Sequence, residues 1–237
     1  MKKIILAILC FSFTATRSQT VDEIIQKYSD AVGGLNTFAS VKTLSMTGNV
    51  AMQGMDMPMT VQIINGKAMK SNVEVMGQKI INLYKDGKGW TINPFAGATT
   101  PTEVTGSELN DLQNQANIAN QLMDYKKRGN KVELQGEEDV DTVKCFKILL
   151  TRSGDNKTST YFISTVDYLL KKSISTKDIQ GQEVEIESYY NGYKYFDGLK
   201  ISTDITVKMQ GQVFQEIKFS DIKVNREIDE KVFDLNS

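Results

Sequence analysis

Apolar residues recur along this chain in two rhythms, and the change from one to the other divides it. Val21, Ile24, Ile25, Tyr28 and Val32 are spaced by three and four and form one helical stripe. Thr20 followed by Glu23 supplies a capping box at its start, and Gly33–Gly34 stops it. A short second turn over 35–41 carries Leu35, Phe38 and Val41. Period two then takes over, predicting strands near 43–53, 57–64, 68–76, 79–85 and 88–93. Asn65–Gly66 and Asp86–Gly87 are strong hairpin signals between them, and Met55 falls in the expected turn after Gly54. A small-residue loop from Pro94 to Pro101 is expected to break the sheet. Helical spacing returns over 103–125 with Leu109, Leu112, Ala116, Ala119 and Met123. That stripe is thin and flanked by Asn and Gln, so the helix has modest packing energy and can move.

Strand-like alternation resumes after Lys131, with strands predicted near 131–138, 142–151, 158–164, 168–178, 182–194, 199–209 and 212–225. Turns fall at Ser153–Gly154, Gln180–Gly181, Asp197–Gly198 and Gln210–Gly211. The result is a mainly β chain of the α+β class: one antiparallel sheet of about 11–12 strands, an N-terminal helix and one later helix. A sheet of that length tends to curl or close. No linker divides the chain, so 19–237 is read as one domain.

The first 18 residues stand apart. Lys2 and Lys3 precede an apolar run over 4–13, too short to span a bilayer, and Thr16 and Ser18 suit cleavage after Ser18. This reads as a secretory signal peptide and places the mature protein in the periplasm. Cys10 is expected to leave with the signal, because Leu9 precedes it where lipoprotein processing requires a small residue. Loss of Lys2, Lys3 and Arg17 reduces the 28 basic residues to 25 against 29 acidic ones, a formal charge of −4. No basic arm or patch suggests nucleic acid, and no later run of about 20 apolar residues could span a membrane. Cys145 alone remains, in the apolar run 143–150, which excludes an internal disulfide and suggests a buried thiol.

The chain contains no histidine. That removes His-based catalytic triads and the usual zinc sites. Glu183, Glu185 and Glu187 recur at period two, as on a solvated strand face, and nothing gathers a catalytic constellation, so the protein is read as a non-enzyme with no cofactor and no metal. Methionine is the distinctive feature. Seven of the ten methionines lie between Met46 and Met76. Strands favour β-branched and aromatic residues, whereas the flexible thioether suits walls that pack against variable apolar partners. Period two sends Met46 and Met52, Met57 and Met59, and Met69 with Val73 to a shared side. Two other readings stand beside a pliable cavity. Thioethers can bind Cu(I), and Met52–x–x–Met55–x–Met57–x–Met59 resembles copper-binding Met spacing. The same side chains can also simply fill a closed core.

A capped helix ending in Gly33–Gly34, a Met-rich meander, and Tyr84–Lys85–Asp86–Gly87–Lys88–Gly89–Trp90 with Asn93–Pro94–Phe95 resemble LolA-like outer-membrane lipoprotein-sorting proteins in their Met-rich form. Tyr161–Phe162–Ile163, Tyr168–Leu169–Leu170, the stretch 193–198, and Val224–Asn225–Arg226–Glu227–Ile228–Asp229 with Phe233 extend the resemblance over nearly the whole mature chain. It implies a curled, incomplete β-barrel with a helical lid over an apolar cavity that holds lipoprotein acyl chains. The expected wall is Met46, Met52, Met57, Met59, Met69 and Val73, with Trp90 and Phe95 near the rim and Leu112 and Met123 under the lid. Implied partners are a lipoprotein or other acylated ligand, with inner- and outer-membrane transfer proteins. A lipid-sensing regulatory module of the same fold is the alternative. Carriers of this kind latch the lid with an arginine on an early strand. Here the early strands offer Lys67 and Lys70, and the mature arginines are Arg128, Arg152 and Arg226.

Overall fold

A computed structural model of the chain describes residues 19–179 and 182–235. The segment read as a signal peptide lies outside the described residues. Helix α1, Val21–Ala31, starts from the expected capping box: the Thr20 hydroxyl accepts from the Glu23 amide at 3.2 Å, and the Glu23 carboxylate accepts from the Thr20 amide at 2.9 Å. Its stripe buries Ile24, Ile25 and Tyr28. Gly33 ends it with φ +123°, and a β-carbon there would stand 2.4 Å from the Gly198 carbonyl oxygen. Only glycine lets the helix exit pass so close to the 197–198 turn. Helix α2, Leu35–Ser40, follows and buries Phe38.

Thirteen strands then form one continuous antiparallel sheet, which is not closed into a barrel. β1 (Thr43–Met52), β2 (Met55–Ile64), β3 (Ala68–Val75), β4 (Gln78–Lys85), β5 (Lys88–Asn93) and β6 (Ala98–Val104) make one wing. β7 (Lys131–Val140), β8 (Val143–Thr151), β9 (Thr158–Ser164), β10 (Leu170–Ile179), β11 (Gln182–Phe196), β12 (Leu199–Met209) and β13 (Gln212–Val224) make the other. The pairing of β1 with β13 joins the wings, leaving β6 and β7 as the two edges. One face carries the main core, into which α1 and α2 pack from one end. The curled, open architecture expected from the sequence is the one observed.

Three expectations need correction. The segment read as a loop between Pro94 and Pro101 holds a short 3-10 turn, Pro94–Ala96, and then β6. Thr99, Thr100 and Thr102 favour an extended chain, and an edge strand tolerates Pro101. The helix expected over 103–125 is only Gly106–Gln115, α3. Beyond it, side chains take over the backbone bonds that would continue a helix. Asn120 Oδ1 accepts from the amides of Leu122 and Met123, both at 3.1 Å, and Asn65 Oδ1 accepts from the Ile118 amide at 3.2 Å. Met55 begins β2, opposite Met52, rather than sitting in the turn. No helix among the described residues is long and apolar enough to cross a membrane.

Candidate ligand-binding site

The register of the first wing decides which side chains meet. Ile63 pairs with Leu44 and Met69, Met69 with Tyr84, and Tyr84 with Gly89. Directly opposed residues share a face, so this row lines the concave side. At its end, a β-carbon on Gly89 would lie 2.8 Å from Val104 Cγ2 and 2.9 Å from Leu112 Cδ1. The bare glycine is where α3 seats on the sheet. Met69 is fully buried here, Leu112 and Met123 join the same core cluster, and Met46 and Met59 pack against it half-buried.

A second cluster lies farther along the same face. Met57 is buried with Val50 and Val75, and Met52, Met59, Val73, Ile80 and Ile217 surround them. Met59 therefore bridges the two clusters, giving a continuous apolar strip from Leu44 towards Met57. Because Met52 opposes Met55 and Val50 opposes Met57, Met52, Met55, Met57 and Met59 all share this face.

Eight of the ten expected wall and lid residues are thus in or against these two clusters. Trp90 and Phe95 are not. Trp90 opposes Leu83, which opposes Lys70, one pleat out of phase with Met69. It packs on the other face with Ile64, Ala68, Leu83 and Phe233, under the C-terminal segment, which Lys67–Glu230 and Lys85–Asp234 ion pairs hold down. Phe95 is 55% exposed in the 3-10 turn.

Two cavities flank the lid formed by α3 and the turns over 116–129. One of about 610 Å³ lies between α1, α2 and the lid, lined by Ile25, Ser29, Phe38, Met123 and Tyr125 among others. The other, of about 570 Å³, lies between the lid and the concave face and is lined by Met46, Leu150, Tyr161, Leu170, Ser173 and Tyr190 among others. The strands β8–β11 that supply most of this second lining carry none of the methionines expected to form the wall. The available signal was the alternation Ser173, Ser175 and Ser188, Tyr190, which places hydroxyls at period two. Burial pushes the phenols of Tyr28, Tyr161 and Tyr190 well above their ordinary range, so they stay neutral donors.

Leu112, Ala116, Leu122, Met123 and Tyr125 bury the lid in the main core, and polar side chains tie it down further. Arg152, in the loop after β8, donates from Nη1 to Asp111 on α3 at 2.8 Å, while its Nε bonds Asp155 at 2.7 Å and its Nη2 bonds the second Asp155 oxygen. Arg128 reaches Asp124, the Asn114 side chain at 3.0 Å and the Ala119 carbonyl at 2.9 Å. Asn120 donates to the Tyr28 hydroxyl at 2.6 Å, and Tyr125 and Lys126 both bond Asp22. Arg152 thus ties α3 to the loop after β8, whereas the partners of the Arg128 side chain lie within the lid itself.

No protein-family profile and no curated protein matches the sequence. Solved structures do. A LolA superfamily protein from Nitrosomonas europaea superposes with a TM-score of 0.60 at 14% identity, covering 92% of this chain and 99% of its own. The fold is LolA-like. A DUF1329 family protein from Desulfovibrio piger aligns at a TM-score of 0.61 and 15% identity, covering 92% of this chain and 99% of its own. An outer-membrane lipoprotein-sorting protein domain from Vibrio parahaemolyticus aligns at 0.59 and 12% identity, over 92% and 98%. At such identities the likeness to LolA-like proteins is one of fold.

Proposed function

We propose that this LolA-like protein is a non-catalytic periplasmic carrier. It binds the acyl chains of a lipoprotein, or another lipid-like ligand, and hands them on towards the outer membrane through inner- and outer-membrane transfer proteins. The observation that supports this reading is the strip Met46, Met59, Met57, Met69 and Val73, whose half-buried Met46 lines the 570 Å³ cavity beside the lid. An acyl chain gains about 0.8 kcal/mol per buried methylene, so about eight methylenes exceed the ~4 kcal/mol lower bound on association costs. Thioether side chains adapt to a chain of variable length without a fixed pocket shape.

The test is titration of the mature chain with a fluorescent fatty acid, cis-parinaric acid. Met46 is the residue to change: it is half-buried and lines the cavity, whereas Met57 is 4% exposed inside a cluster where a charge would unfold the strand. Met46→Glu places a carboxylate against the expected chain path and should weaken binding at least tenfold, with the thermal unfolding midpoint lowered by only a few degrees. Undiminished binding in the folded variant would remove Met46 from the wall. Native mass spectrometry of protein isolated without detergent identifies the cargo, and a copper-sized mass increment there would favour the thioether-metal reading.

A further inference from the structure

The second wing carries a patch of hydroxyls on its concave side. Register places Ile148, Tyr161, Ser173 and Ser188 in one row on the concave side, and Leu150, Ser159 and Ser175 in the next. Within these rows the hydroxyls stand between apolar ends, Ile148 and Val207 in the first and Leu150 and Ile186 in the second. The outward positions of the same strands hold a separate apolar cluster: Val140, Cys145 and Phe162 are buried there, with Ile174 and Tyr189 against them. Long side chains cover that outer cluster. Lys172 lies 5.5 Å from the Phe162 ring centroid and pairs with Glu187 at 2.6 Å, and Lys147 lies 5.8 Å from the same ring. Apolar packing thus stabilises both faces of this wing, and the hydroxyls form a patch on the inward side beside Ile148, Leu150 and Leu170. Hydroxyls and amides turned into a sheet's concavity cost free energy unless something there bonds them.

The lid completes a polar chamber from above. Asn114, Asn117, Asn120 and Gln121 line the 570 Å³ cavity together with Ser159, Tyr161, Ser173, Ser175, Ser188 and Tyr190. Its volume lies within the ~300–1,000 Å³ of small-molecule sites. Met46 lines the same cavity and begins the apolar strip of the first wing. Hydroxyls and carboxamides both donate and accept, which suits a ligand bearing many hydroxyls. An anion would call for donors and positive charge instead. The chamber's guanidinium, Arg152, is already occupied by Asp111 and Asp155, which leaves Lys157 and Lys177 as its other cations.

We propose that this chamber is a headgroup site for a neutral polyhydroxylated, saccharide-type group, so that the cargo is an amphiphile whose sugar head lies among Tyr161, Ser173, Ser188 and Tyr190 while its chain runs along the methionine strip. The inference rests on the carrier reading and specifies the class of ligand. The Ser173 and Tyr190 hydroxyls, 3.0 Å apart, form a pair able to hold adjacent sugar hydroxyls.

Three probes with one chain and different heads test it on the mature protein: dodecyl maltoside, dodecyl phosphate and dodecanoate, each below its micelle concentration, displacing cis-parinaric acid. The maltoside should bind about tenfold more tightly than dodecanoate, the scale of one or two well-made hydrogen bonds. The double variant Ser173→Ala, Tyr190→Phe should lose that advantage while dodecanoate binds within twofold of the parent. Ser175→Ala, which removes a hydroxyl one row away, gives a second reading should the double variant fold poorly. Equal affinity for all three heads, or a preference for the phosphate, overturns the headgroup site and leaves the carrier reading standing. Failure of cis-parinaric acid itself to bind overturns both.

Discussion

Arg152 links the lid to the far wing, and its removal has a calculable consequence. The Arg152 side chain is 12% exposed, and its partners Asp111 and Asp155 are 33% and 19% exposed. Breaking a fully buried pair by deleting one partner costs ~3–5 kcal/mol, and exposed pairs are worth ~0–1 kcal/mol. These intermediate exposures put Arg152→Met at about 2 kcal/mol, much of it from leaving Asp155 without its guanidinium. The part specific to the lid is the single Asp111 contact. Asp111→Asn isolates it, because Arg152 keeps both bonds to Asp155, and the cost should be about 1 kcal/mol. Such a change makes the lid open roughly five- to tenfold more often, since 1.4 kcal/mol is a factor of ten. Amide hydrogen exchange followed by mass spectrometry reads this directly: peptides covering 106–115 should exchange five- to tenfold faster in Asp111→Asn, and peptides from β12 should not change. Release of bound cis-parinaric acid should accelerate by a similar factor. Unchanged exchange in α3, with uniform loss of stability elsewhere, would show that Arg152 only braces its own loop and that the lid is held by other contacts.

Two further expectations follow from charge and burial. Cys145 is fully buried and its thiol is pushed up to about 11, chiefly by that burial, so Ellman's reagent at pH 8 should react with the native mature chain at the rate of unfolding; immediate stoichiometric reaction would place the thiol at the surface. The lid contacts should fail only in acid. The bond from Arg152 holds the Asp155 carboxyl below its ordinary 3.8, helped by the Lys157 amide against an opposing effect of burial, and the bond from Lys126 does the same for Asp22. A carboxyl depressed on folding contributes stability that is fully present above the unfolded value and is lost as pH falls through the folded one. Exchange of 106–129 should therefore be level from pH 5 to 8, once corrected for intrinsic rates, and rise below about pH 4. The chain has no histidine to titrate near neutrality, so a step between pH 6 and 7 would contradict this account.

How far the site could be read in advance differs between the wings. In β1–β3 the methionines are unusual enough to be seen in the sequence, and period two assigns them correctly to one side. In β8–β11 the cavity-lining patch is made of Ser and Tyr, residues equally at home on a solvated face, and apolar residues lie on both faces. Hydrophobicity alone does not choose between the faces there, because Phe162 and Ile174 point outward whereas Ile148, Leu150 and Ile163 point inward. Trp90 failed for a related reason. Its neighbourhood in the sequence fits the rim, but its phase relative to Met69 is set by pairing, and its burial comes from Phe233, more than 140 positions away.

Local physics is sufficient where the determining partners are close in sequence. The Thr20–Glu23 cap, the Asn65–Gly66 and Asp86–Gly87 turns and the alternation of the strands all depend on residues within a few positions of one another, and each was legible. The lid was not. Contacts with Asn65, Tyr28 and Asp22, distant in the chain, hold the segment after α3 in place. The same holds for Arg152: it was visible in the sequence, and only tertiary structure could show that it meets Asp111 on α3. Strand identity is thus written in local alternation, whereas the chemistry of the cavity depends on long-range register, which local preferences do not encode.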